Sequence, residues 1–196
     1  KAKQAGITRA VCIGSYYPQV VPETILSNDY VRSRHLSDEG VRALSDDSFN
    51  VSSLNAPFIL GHVEGLTVPF FETLVQFAAG KIEGLPLVAP GGGVNHISSQ
   101  SLSEAILSAF EQGHGGTAYL VGDENLSWKG YLEMMFEATG NAMDLPVSQD
   151  EHPLYLDIFL YAGRNAVIEY EPDQSEISYS RNRIKGCIEE VAKAYL

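Results

Sequence analysis

The sequence predicts an α/β fold: half of a doubly wound parallel sheet joined to a smaller lobe. Three observations predict it. The apolar run at 9–15, a polar segment able to cap a helix, and a β-rich run ending near Gly61 follow in the strand, crossover, strand order of a parallel sheet. Helical periodicity returns at Leu102, Ala105, Ile106, Ala109 and Phe110, and again at Ile184, Ile188, Val191 and Tyr195. The 196 residues, 44% hydrophobic and 19% charged, suffice for one core or a core plus a smaller lobe.

In order, KAKQAG reads as the last turn of a helix stopped by Gly6, and residues 9–14 as a buried strand. Such an opening in mid-unit suggests a piece of something longer. Pro18 and Pro22 mark a loop, and the polar run at 27–29 offers N-caps for a helix to about residue 45. Tyr30, Arg34, Val41 and Leu44 share a face of that helix, which Gly40 weakens by roughly 1 kcal/mol. From Phe49 to Gly61 the chain is β-rich, and Pro57 splits or ends the run. A helix follows over about 69–79. A short strand, VNHIS, then leads to Ser101 and Glu104, spaced as a capping box. TAYLVG at 117–122 is a strand, Ser127 caps a helix carrying Leu132, Met135 and Phe136, and a last helix spans about 180–195.

Thirteen basic against 25 acidic residues give a net charge of -12, which repels a phosphate backbone and makes nucleic acid an unexpected partner. No run reaches the roughly 18 apolar residues of a membrane helix, so no membrane partner is expected either. Cys12, inside an apolar strand, reads as a buried reduced thiol, and a cytoplasmic setting follows. His35, His62, His96, His114 and His152 show no ligand spacing with one another or with the cysteines, so no metal is expected. DENLS at 123–127 reads as a turn plus helix cap. The glycines at 91–93 follow Pro90 and precede a strand, which makes them a loop rather than a phosphate cradle.

The most chemically informative residues are Ser15, Tyr30 and Arg34. Four apart on a helix, Tyr30 and Arg34 share a face, close enough for a guanidinium to favour the phenolate of a side chain that normally titrates near pH 10. Such a phenol can pass a proton to or from a carbonyl or alcohol oxygen. The spacing alone equally fits an ordinary amphipathic helix with a buried tyrosine and a surface arginine. Context adds Ser15, at the carboxyl end of the preceding strand, where ligands bind in open α/β sheets.

RAVCIGS (9–15), YVRSR (30–34) and LNAPFILG (54–61) stand in an order that resembles the extended short-chain dehydrogenase/reductases, the NAD(P)-dependent epimerase/dehydratase group. Residues 91–140 are similar to the later half of that family, closest to its steroid-dehydrogenase-like and dihydroflavonol-reductase-like branch. The resemblance implies the second half of a Rossmann-type sheet in residues 1–61, and mainly a substrate lobe in 62–196, with 94–122 returning to the main sheet. It implies Tyr30 as acid/base, Ser15 as hydrogen-bond donor to the reacting oxygen, and Arg34 where the family's lysine binds the nicotinamide ribose. Pro57, Phe58 and Ile59 would lie along the nicotinamide of NAD or NADP. Asn55 and His62 flank that segment and could face substrate, although each reads first as structural.

Three departures accompany the resemblance. Arg34 stands for a lysine and cannot shuttle a proton, IGS keeps one hydroxyl of a usual pair, and no strand, glycine-rich turn and helix supplies a pyrophosphate cradle. The expected activity is NAD(P)-dependent oxidoreduction of a secondary alcohol or ketone. A nucleotide-sugar epimerase or dehydratase is the alternative, its diphosphate gripped by Lys81, Arg164, Arg181 or Arg183, and a catalytically degenerate dinucleotide-binding regulatory protein is a third. A small-molecule substrate is expected, with a homodimer allowed and the first half of the fold needed from elsewhere.

Overall fold

The computed structural model describes residues 1–196, beginning with a 3-10 turn at Lys3–Ala5 that Gly6 ends at φ 80°. Strand β1 (Arg9–Ser15) leads into the short helix α1 (Tyr17–Val20), with Pro18 in its first turn. Helix α2 (Asp29–Arg42) starts where the Asn28 side chain accepts a hydrogen bond from the Val31 N–H at 3.1 Å. Strand β2 (Asn50–Ala56) then pairs in parallel with β1, from Arg9 opposite Asn50 to Ser15 opposite Ala56.

One face of α2 turns to the sheet. It buries Val31 and Asp38, whereas Tyr30, Arg34 and Leu44 are exposed. Buried polar residues on β2 account for this. Ser53, fully buried, donates to the Asp38 carboxylate, and Arg42 donates to the same carboxylate at 2.9 and 2.8 Å. A hydrogen-bonded clamp thus fixes α2 on β2 where an apolar stripe would ordinarily do so.

Pro57 ends β2, and β3 (Phe58–Leu60) enters a different sheet. Helix α3 (Pro69–Ala78) buries Phe71, Leu74, Val75 and Phe77, each contributing about 1.5–3 kcal/mol by removal from water. After β4 (Ala89–Pro90), β5 (Gly93–Ser98) pairs in parallel with β3. Helix α4 (Ser99–Gln112) is capped by Ser98, which accepts from the Ser101 N–H at 2.9 Å. Ser101 and Glu104 therefore form no capping box; Glu104 instead accepts from the Ser180 N–H at 2.7 Å.

Strand β6 (Ala118–Leu120) joins β2, giving the parallel order β1-β2-β6. Residues 123–127, expected as a turn plus helix cap, contain strand β7 (Glu124–Ser127), antiparallel to β5, in place of the turn. Helix α5 (Trp128–Ala138) has Ser127 as its cap, through the Gly130 N–H at 3.0 Å. Strands β8 (Val147–Ser148) and β9 (Val167–Ile168) pair with β4 and β5. Helix α6 (Ile184–Tyr195) closes the chain, its first amides bonded to the carboxylates of Asp123 and Glu124.

The glycines at 91–93 serve close backbone packing. A Cβ on Gly92, whose φ is 83°, would collide with the Ala166 carbonyl, and one on Gly93 with the Leu126 carbonyl. The main core joins α3, α5 and α6 beneath β3 and β5, and a smaller one lies between β2, β5 and α4. Strand β1 pairs only with β2. For that reason Cys12, expected to be buried, is half-buried, and Ile13 is 40% exposed. No helix is long and apolar enough to cross a membrane.

Candidate active site

A cavity of about 500 Å³ opens where β1 and β2 end, at Ser15 and Ala56. Ligands bind in open α/β sheets at this place, outside the carboxyl ends of the strands. Ser15, Tyr30, Pro57, Phe58 and Ile59 all line it. The sequence separates these residues, and the parallel register of β1 and β2 with the α2 crossover brings them together. Arg34 does not line the cavity.

Ser15 is 8% exposed, and its hydroxyl proton has no acceptor within the protein, so it is free to donate to a ligand. Tyr30 lies in the first turn of α2, 38% exposed. Its ring carries Tyr161 stacked at 4.0 Å and 11° on a face, and the Arg34 guanidinium 5.5 Å from its centroid, a cation–π arrangement. Arg34 forms no ion pair, so its charge remains available beside the phenol.

The far wall comes from residues 154, 155 and 159–161, with Phe70 of α3 and Trp128 of α5. Trp128 lies 5.1 Å from Tyr155 and 5.5 Å from Phe58, centroid to centroid. Burial pushes the Tyr16, Tyr17 and Tyr155 phenols above their usual range, with Tyr17 adding to the effect on Tyr16 and Tyr131 to that on Tyr155, so all three stay uncharged. The Tyr155 hydroxyl is buried and unpartnered. Sequence reasoning missed Tyr155 and Tyr161: their segment has no periodicity, and only the folded chain brings it against α2 and α5.

Behind Phe58 and Trp128 sits His96, fully buried, with Nδ1 donating to the Val94 carbonyl at 2.9 Å. Burial lowers its pKa to about 4, so the ring is neutral. Asn55 and His62 lie off the cavity. Asn55 donates to Gln19 at 2.8 Å, and His62 packs edge-on against Tyr195. None of the four cations considered for gripping a diphosphate lines the cavity. Arg164 is paired with Asp157, Arg181 with Glu171, and Lys81 donates to the Leu196 carbonyl.

No protein-family model and no curated protein matches the chain. Solved structures do match it. A UDP-N-acetylglucosamine 4-epimerase from Bacillus cereus superimposes with a TM-score of 0.71 at 13% identity, over 99% of this chain and 68% of the epimerase. Over those residues the chain shares the fold of that epimerase. RMD from Pseudomonas aeruginosa, complexed with NADPH, matches with a TM-score of 0.68 at 13% identity, over 98% of this chain and 68% of its own. The Bordetella bronchiseptica enzyme WbmH, in complex with NAD+, matches with a TM-score of 0.67 at 15% identity, over 99% and 64%. Within this fold the chain spans about two-thirds of each longer neighbour.

Proposed function

We propose that this chain forms the substrate side of an NAD(P)-dependent enzyme that moves hydride at a hydroxyl-bearing carbon. The observation carrying this reading is the convergence of Ser15, Tyr30 and residues 57–59 on one cavity at the carboxyl ends of β1 and β2. Tyr30 would hold or release the proton at the substrate oxygen, and Ser15 would donate a hydrogen bond to that oxygen. Arg34 would keep a fixed positive charge beside the phenol and within reach of a ribose. NAD(P), when bound, supplies the hydride acceptor or donor. The residues present fit its nicotinamide end: Pro57, Phe58 and Ile59 offer an apolar wall, with Ile59 38% exposed. For the pyrophosphate no glycine-rich turn opens a helix, so that cradle would come from residues outside this sequence.

Of the two enzymatic forms weighed from the sequence, conversion of a nucleotide sugar by an epimerase or dehydratase has the better support, from neighbours such as the UDP-N-acetylglucosamine 4-epimerase. Net oxidoreduction of a secondary alcohol stands second, favoured by the absence of any lysine or arginine from the cavity wall. Two free thiols suit a reducing, cytoplasmic setting. The test is NAD(P)-linked turnover of a polypeptide that includes this chain and a cofactor cradle, assayed with UDP-sugars and with cyclic ketones. Tyr30→Phe should lower kcat by about 100-fold or more. Undiminished turnover in that variant would remove Tyr30 from the chemistry, and cofactor binding without turnover on any substrate would favour the degenerate, regulatory reading.

A further inference from the structure

Tyr30 is 38% exposed in the first turn of α2, and its phenol makes no hydrogen bond within the protein. A tyrosine so placed would sample several rotamers, whereas proton transfer needs its hydroxyl in one place. Arg34, exposed and unpaired, supplies charge beside the ring but no fixed geometry. Another ring supplies it. Tyr161 stacks on Tyr30 with centroids 4.0 Å apart and planes 11° from parallel, the closest and most nearly parallel aromatic pair in the chain.

Tyr161 is itself held from two sides. Tyr17, at the start of α1, meets it at 5.4 Å and 87°, an edge contact. Arg164 closes the loop that carries it, donating through Nε to the Asp157 carboxylate at 2.9 Å and through a second nitrogen to the Gln149 carbonyl. Between Tyr161 and Arg164 the chain turns at Gly163, whose φ is 97°. Burial and the neighbouring Tyr30 push the Tyr161 phenol above its usual range, so it stays protonated and acts through the face of its ring.

We propose that Tyr161 is a positioning residue for Tyr30, whose phenol its stacked ring holds at the cavity in the orientation that serves proton transfer. This deepens the hydride-transfer reading and rests on it.

Two measurements test the role. The first is NMR of the 196-residue chain carrying ring-labelled tyrosine, with the Tyr30 signal identified by its loss in Tyr30→Phe. In Tyr161→Leu the Tyr30 ring should lose its ring-current shift and its order parameter should fall, while Tyr161→Phe keeps both. The second is turnover, in a polypeptide that adds the cofactor cradle, assayed with UDP-sugars and cyclic ketones. Tyr161→Leu should lower kcat about three- to tenfold with KM little changed, and Tyr161→Phe should retain the parent kcat. An unchanged Tyr30 ring signal in Tyr161→Leu overturns the stack as what holds the phenol. Undiminished kcat, or a change confined to KM, overturns the positioning role while the hydride reading stands. Tyr161→Phe as impaired as Tyr161→Leu overturns action through the ring face. Parent turnover that is absent, or indifferent to Tyr30→Phe, removes the hydride reading and the positioning role together, and the ring signals then report a structural contact only.

Discussion

Acid should loosen the wall behind the cavity through one side chain, His96. Its ring packs against Phe58, Trp128 and Tyr131 at centroid distances of 5.2, 5.6 and 5.1 Å, and Nε2 has no partner. A proton added there would place a cation among aromatic rings with no carboxylate to pair it, which is why burial lowers the pKa from 6.5 to about 4. The folded state therefore keeps His96 neutral, while the unfolded chain protonates it near pH 6.5. As pH falls from 6.5 towards 4, the unfolded state alone gains the proton and stability is lost. At about 1.4 kcal/mol for each pH unit, the lowering to about 4 corresponds to roughly 3 kcal/mol. Set against a usual total of about 5–15 kcal/mol, that is a large fraction. Urea unfolding of the parent and of His96→Phe, compared at pH 7.5 and pH 4, isolates this contribution from the carboxylates that titrate in both. The variant should lose about 3 kcal/mol less on acidification. Equal losses in the two proteins would refute the account of a caged, neutral imidazole.

Two further predictions concern the frame around the site. Asp38→Ala should cost about 1–3 kcal/mol in urea unfolding, because Ser53 and Arg42 lose their shared acceptor between α2 and β2; an unchanged midpoint would show that apolar packing alone holds the helix. Iodoacetamide at pH 8 should modify Cys12 well before Cys187. Burial pushes the Cys187 thiol up to about 11, and it donates to the Leu60 carbonyl, whereas Cys12 is half-buried on the edge strand; equal labelling rates by mass spectrometry would contradict this.

Elements governed by local signals were legible in the sequence. Helix α5 announces itself through Ser127 and the spacing of Leu132, Met135 and Phe136, and the strand, helix, strand order of β1, α2 and β2 follows from apolar runs and a polar cap. The cap of α4 was misread because SSQS offers several serines. Strand β5, paired through Ser98 opposite Leu60, decides which one caps. On α2 the sequence shows Tyr30 and Arg34 on one face but not which face is buried, since the clamp on Asp38 depends on polar residues from a distant strand. Ser15 was legible as a candidate through its place at a strand end, and Pro57–Ile59 only through the family resemblance; all four line the cavity. Tyr155 and Tyr161 were not legible, because a segment without period carries no sign of the surface it will cover.

Strand β1 offers a bare row of backbone N–H and C=O groups along the side away from β2. Its one charged side chain, Arg9, is drawn away to the Ala109 and Phe110 carbonyls at the end of α4, and no proline or lysine guards the strand. Such an edge is a template for strand addition. Left uncovered, it makes the chain sticky in proportion to its concentration. A segment laid along it would cover those groups and lie beside Ser15, the last residue of the strand.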